Sequence, residues 1–135
     1  MKACIIGWLI LALVLTALGQ FMAPFLGRCS DEDSAFAHEY AGEMLAKLEQ
    51  MSAESAAPAD CCQAGEADFH SRKQAAVHFK GELAADFVYA FSCAEAWCHY
   101  AAAGQSAADR TGAALARAKA EFRAIAAKDY KTAGR

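Results

Sequence analysis

The chain opens on a stretch without amphipathic period: from Ala3 to Leu26 no side chain is charged, with Lys2 in front and Arg28 behind. As a helix that run is long enough to cross a bilayer. Two readings of residues 1–27 compete. In one, Lys2 is the basic n-region of a signal peptide, Cys4 to Thr16 its apolar stretch, and Ala17-Leu18-Gly19 a small-x-small site cut before Gln20. In the other the segment is an uncleaved transmembrane anchor. Phe21, Met22, Ala23, Phe25 and Leu26 carry the apolar run past that site, beyond the ordinary length of a signal sequence, and favour the anchor.

Behind Arg28 the pattern changes to three-to-four spacing. Ala37, Ala41, Met44, Leu48 and Met51, with Phe36 and Tyr40 alongside, predict a helix over about 31–52 capped by Ser30 or Ser34. Residues 53–65 read as a linker, with Pro58, small side chains and no period. Phe69, Ala76, Leu83, Phe87, Ala90, Ala94, Trp97 and Ala101, flanked by Val77 and Phe91, predict one long helix over about 66–103 with a kink at Gly81. Gly104 stops it. Ser106 and Asp109 are spaced as a capping box for a last helix over about 106–130 through Leu115, Ala118, Phe122 and Ile125. The expected fold is all-α: an N-terminal transmembrane or signal helix over 1–27, then a small antiparallel bundle of about three amphipathic helices in a domain over 28–135.

Leu83 to Ala103 is apolar enough to raise the question of a second span, but it contains Asp86, Glu95 and His99. One central acid costs about 2.5–3.5 kcal/mol on insertion scales, so the segment reads as the buried face of an ordinary helix. Composition agrees with helices: alanine is abundant and there are only 2 prolines. The net charge of −3 conceals an asymmetry. Acids dominate from Asp31 to Asp68, while Arg110, Arg117, Lys119, Arg123, Lys128, Lys131 and Arg135 make the last segment basic. The plain reading is that these helices face each other or solvate the bundle; the functional one is a basic tail for anionic lipid or an acidic partner. Overall acidity and the tether disfavour nucleic acid.

The chain has 6 cysteines. Cys4 lies in the apolar segment, which leaves Cys29, Cys61, Cys62, Cys93 and Cys98 as disulfide candidates, an odd number, in a domain read as extracytoplasmic (periplasmic or extracellular). On a continuous helix Cys93 and Cys98 stand roughly 8–9 Å apart at Cα, beyond the ~7 Å reach of a bridge, so each is expected to pair with Cys61, Cys62 or Cys29.

Cys93-Ala-Glu-Ala-Trp-Cys98-His99 resembles a c-type haem attachment sequence in its widened form. The resemblance implies thioethers from Cys93 and Cys98 and His99 as proximal ligand, with His38, His70, His78, Met44 or Met51 as the pool of distal ligands. Glu66 with His70, His78 with Glu82, and Glu95 with His99 stand four apart, the spacing of a helical metal half-site, although all three pairs share one segment and read better as exposed ion pairs. No nucleophile-base pattern, paired catalytic carboxylates or phosphate-binding loop is present in the sequence, so no catalytic residue is assigned.

The expected function is therefore a membrane-anchored, non-catalytic accessory or interaction subunit that meets lipid and other proteins. The alternatives are a membrane-tethered haem c electron carrier and a thiol-based redox or metal-binding factor. Cleavage before Gln20 would make any of them a secreted protein.

Overall fold

A computed structural model describes the backbone of residues 2–26, 29–53, 59–104 and 108–130, and the side chains of 4–17, 29–53, 62–104 and 109–130. All its described elements are helices: α1 (Lys2–Leu26), α2 (Asp31–Ala53), α3 (Ala59–Ala76), α4 (Glu82–Ala102) and α5 (Ala108–Ala127).

The start of α2 is fixed by its own sequence. Ser30 Oγ accepts from the Asp33 amide at 3.2 Å, and Asp33 Oδ2 accepts from the Ser30 amide at 2.8 Å, a reciprocal capping box with aspartate in the acidic position. Asp31, Glu32 and Asp33 also place negative charge on the positive end of the helix dipole. Ser30 is thus the cap, while Ser34 turns inward and is buried.

The single helix expected over 66–103 is two helices. Residues 77–81 form a turn closed by Gly81 at φ 51°, a conformation that side chains with a β-carbon rarely adopt, and the chain reverses there instead of kinking. Val77, read from the sequence as part of the apolar stripe, is 56% exposed in this turn. The first of the two helices also begins earlier than expected, at Ala59, so Cys61 and Cys62 sit in α3 and not in the linker drawn over 53–65. The expected cap at Ser106 lies outside the described residues. Gly104, at φ 75°, follows the last turn of α4, where Ala103 N donates to the carbonyls of His99 at 3.3 Å and Tyr100 at 3.1 Å.

Helices α2 to α5 therefore make a four-helix, up-and-down bundle where three helices were expected. The His38 ring, near the start of α2, meets the carbonyl of Lys128 just past α5 at 2.7 Å, and Met51 near the end of α2 meets Gly65 near the start of α3. Each helix contributes one stripe to the core. Ala37, Ala41, Met44 and Leu48 come from α2, Phe69 and Ala76 from α3, Ala118, Phe122 and Ile125 from α5. Helix α4 is central and buries Leu83, Phe87, Ala90, Phe91, Ala94, Trp97 and Cys98. Phe91 joins the layers, with ring centroids 5.4 Å from Phe122, 5.9 Å from Tyr40 and Phe87, and 6.4 Å from Phe69. Alanines in the facing stripes let the helices approach closely around these rings.

The described side chains of α1, residues 4–17, are all exposed and none joins the core; Trp8 is 74% and Leu13 70% accessible. Among the described residues no helix is long and apolar enough to cross a membrane.

Candidate functional site

The reversal at Gly81 sets what each end of the bundle contains. At the Gly81 end lie the start of α2, the α3–α4 turn and the residues after α5. Asp86 Oδ2 accepts from the Tyr130 hydroxyl at 2.7 Å and the Lys128 ammonium at 2.9 Å, and Lys128 also reaches Glu82 at 2.8 Å. Hydrogen bonds to Glu82 and Asp86 raise the Lys128 pKa, while burial, and then Asp86, push the Tyr130 phenol upward. Cys29 donates its thiol to the Lys80 carbonyl at 3.8 Å, and Lys80 pairs with Asp33 at 3.5 Å. The acid that argued against a second membrane span is thus neutralised inside a polar cluster.

Along the waist, carboxylates of one helix meet bases of the next. Lys47 of α2 pairs with Asp68 of α3, which also accepts from Arg72 at 2.9 Å. Arg72 donates in turn to the Tyr40 hydroxyl at 2.9 Å. Glu95 of α4 accepts from Lys73 at 2.5 Å and lies 2.9 Å from the His70 ring. Burial raises the Glu95 pKa, but the Lys73 and His70 hydrogen bonds outweigh it and hold the carboxyl below its usual range. Asp68 behaves in the same way, with Lys47 and Arg72 overcoming its burial.

The opposite end is built from sulfur. Cys98 is fully buried on α4 and faces Gly65 of α3 and Met51 of α2. Burial above all pushes the Cys98 thiol up to about 12, so it stays protonated at neutral pH. Beside it the His99 ring, 69% exposed at its side chain, stands 3.5 Å from Glu66.

The cysteines named from the sequence are distributed over both ends and a flank. Cys29, Cys62, Cys93 and Cys98 are free thiols here, as is Cys4 in α1; the Cys61 side chain lies outside the described residues. Cys62 lies on α3 three residues before Gly65, the residue that Cys98 faces. Cys93 faces Glu121 and Arg117 of α5, and its thiol is raised mainly by burial.

The haem motif is accordingly not gathered on one face of α4: Cys93 points to α5, Cys98 to α2 and α3, and His99 outward to Glu66. Of the distal candidates, Met44 is in the core, His38 is at the Gly81 end, and Met51 alone is beside Cys98. The spaced Glu/His pairs also disperse. Glu66 meets His99, His70 meets Glu95, His78 is exposed in the turn, and Glu82 pairs with Lys128. Among the described residues no group of three or more His, Cys, Asp or Glu gathers around one point.

Sequence reasoning missed the role of Gly65, which was read as the end of a linker. The available signal was its place three residues after Cys62, which on a helix puts both on one face. Comparison with protein-family models, with curated proteins and with solved structures finds no match to this chain.

Proposed function

We propose that the chain is a membrane-anchored, non-catalytic accessory subunit, held to lipid by its N-terminal segment and presenting its helical bundle to other proteins outside the cytoplasm. The observation that carries this reading is the character of α1. Ile5, Ile6, Leu9, Ile10, Leu11, Leu13, Val14 and Leu15 are exposed on every side of the helix, whereas a helix that packs on a soluble core has one apolar stripe and a polar back. A helix apolar all round is stable in hydrocarbon, where its backbone bonds are satisfied internally. In the sequence the uncharged run continues beyond the described side chains of 4–17 to Leu26, about the length that a span requires. The core residues of the bundle, by contrast, are buried by α2 to α5 among themselves.

Membrane fractionation of the full chain tests the tether, combined with sequencing of the mature N-terminus. The expected result is a protein that resists alkaline extraction and keeps residues 1–27. A soluble product beginning at Gln20 would overturn the anchor. Cross-linking in intact membranes followed by mass spectrometry tests the accessory role, with partner proteins bound to α2–α5 as the expected outcome and an exclusively unlinked chain as the contrary one.

A further inference from the structure

Among the described residues, helices α2 to α5 and their turns leave three large apolar side chains in the open: Phe36, Val77 and Tyr89. Tyr89 is covered in part by Arg117, which donates to its hydroxyl at 3.0 Å and lies over its ring. The other two fall together at the Gly81 end. Val77 opens the α3–α4 turn and is 56% exposed, and Phe36, on the second turn of α2, is 46% exposed. The Phe36 ring meets Phe79 of the same turn edge-on at 5.6 Å and stacks on Tyr40 at 5.4 Å.

This apolar surface is held close to the chain that leaves α1. Cys29 donates its thiol to the Lys80 carbonyl of the turn at 3.8 Å, and Lys80 pairs with Asp33 at 3.5 Å. Helix α1 ends at Leu26, and Cys29 is three residues on, a reach of at most about 11 Å. The headgroup layer on each face of a bilayer is about 5–7 Å deep. A turn fastened to Cys29 is thus within reach of that layer whenever α1 spans the hydrocarbon. The charges around it select the lipid. Asp31, Glu32 and Glu82 are exposed there, while Lys80 is paired with Asp33 and Lys128 with Glu82 and Asp86, so an anionic surface finds no attraction.

We propose that the α3–α4 turn is a second, shallow membrane contact, in which Val77 and Phe36 enter the interface of a zwitterionic bilayer and hold the bundle with its Gly81 end toward the lipid. The inference rests on the anchor reading of α1 and goes beyond it by assigning the face of the bundle that lipid covers.

The test uses the full chain in phosphatidylcholine vesicles, with Trp8→Phe removing the tryptophan of α1 and the buried Trp97 as a constant background. A reporter tryptophan is placed at the turn by Val77→Trp or Phe36→Trp, and at the exposed far end of α4 by Ala103→Trp, with circular dichroism recorded on each. In vesicles whose lipid is brominated near the top of the acyl chains, the Val77→Trp and Phe36→Trp reporters should shift to the blue and be quenched. The Ala103→Trp reporter should stay red and unquenched. Adding Val77→Asp to the Phe36→Trp chain should abolish the quenching while flotation with the vesicles is unchanged, and Phe36→Trp alone decides the matter if Val77→Trp fails to fold. Flotation separates the two ways to fail. A chain that does not float overturns the anchor and the contact together, whereas a chain that floats with turn reporters no more quenched than Ala103→Trp overturns the contact alone. Blue-shifted, unquenched emission that fades as the chain is diluted in lipid would assign the surface to a second copy and overturn the lipid contact as well.

Discussion

The two ends of the bundle satisfy their buried groups by opposite means. At the Gly81 end, Asp86, Lys128, Tyr130 and Glu82 saturate one another with hydrogen bonds, and the cap of α2 is closed by Ser30 and Asp33. At the far end Met51 and Cys98 pack against Gly65 through soft, weakly hydrogen-bonding side chains. A saturated polar cluster has little capacity left for a ligand, since any newcomer must displace bonds already made. Beside Gly65 the place of a side chain is taken by the Met51 methyl group, so packing specifies that end where hydrogen bonds specify the other.

Phe91 lies between the two ends, and its removal should have the largest effect. It is fully buried and touches rings from α2, α3, α4 and α5. Phe91→Ala should cost about 3–5 kcal/mol in urea unfolding. If the bundle is one cooperative unit, tryptophan fluorescence near Trp97 and far-UV dichroism will lose their signal together; separate transitions would show that the ends fold independently.

How much of this contrast was legible in the sequence follows from its periods. The core stripe of α2 and that of α5 were readable because one face of each helix meets the core, and Phe122, Ile125, Ala41 and Leu48 keep helical spacing throughout. The α3–α4 reversal was not, because Phe69, Ala76 and Leu83 stand seven apart and all three are core residues. The apolar line therefore crosses the turn without a break, and Gly81 alone marked it. Missing that reversal hid the far end of the bundle, since it is the reversal that lays the start of α3 against the end of α4 and brings Gly65 to Cys98. The haem-like string was visible for the opposite reason: contiguity in sequence is easy to read, but five positions along a helix turn Cys93 and Cys98 to different neighbours.

Alkali should separate the ends next. A thiol or phenol whose pKa is raised by folding contributes stability that is complete below its unfolded value and is lost as pH rises through the folded one. For Cys98 that window runs from the ordinary thiol value of 9.0 to about 12, whereas Tyr130 begins to respond only above 10.0. Cys29 and Cys93 are raised in the same direction, so the informative quantity is the difference between wild type and variant. Cys98→Ala should flatten the fall in stability that starts near pH 9, and Tyr130→Phe the fall at higher pH. Acid acts through Asp33, Asp68 and Glu95, whose pKa values folding lowers; their stabilisation is present above about pH 5 and is lost as pH drops through the folded values. Glu95→Gln should make the acid transition shallower and leave the alkaline one unchanged, measured by thermal melts across pH.

Truncating the hub of the polar end is a smaller change. Asp86→Ala leaves Tyr130 Oη and Lys128 Nζ without the carboxylate that accepts from both, although Lys128 retains Glu82. A loss of about 1–3 kcal/mol is expected, the range for a hydrogen-bonded group left unpaired. Tyr130→Phe should cost less, and the pair should be non-additive because both substitutions remove the same bond. Additive losses would mean that Tyr130 is held by its burial and not by Asp86.

The smallest effects come from the two glycines, and they differ in sign. Gly81 lies at φ 51°, where a β-carbon is strained whatever the space around it, so Gly81→Ala should destabilise the bundle by about 1–2 kcal/mol. Gly65 is inside α3, where alanine is favoured over glycine by about 0.5–1 kcal/mol. Against that gain stands the 2.5 Å approach to Met51 Cε, which a rotation at the end of the side chain relieves, and a few tenths of an ångström asked of Cys98 Sγ at 3.2 Å. Gly65→Ala should consequently leave the midpoint of urea unfolding nearly unchanged or slightly raised. A large destabilisation would mean that Met51 is fixed in place by packing, so that the close approach at Gly65 belongs to the core as firmly as the hydrogen bonds of the Gly81 end belong to theirs.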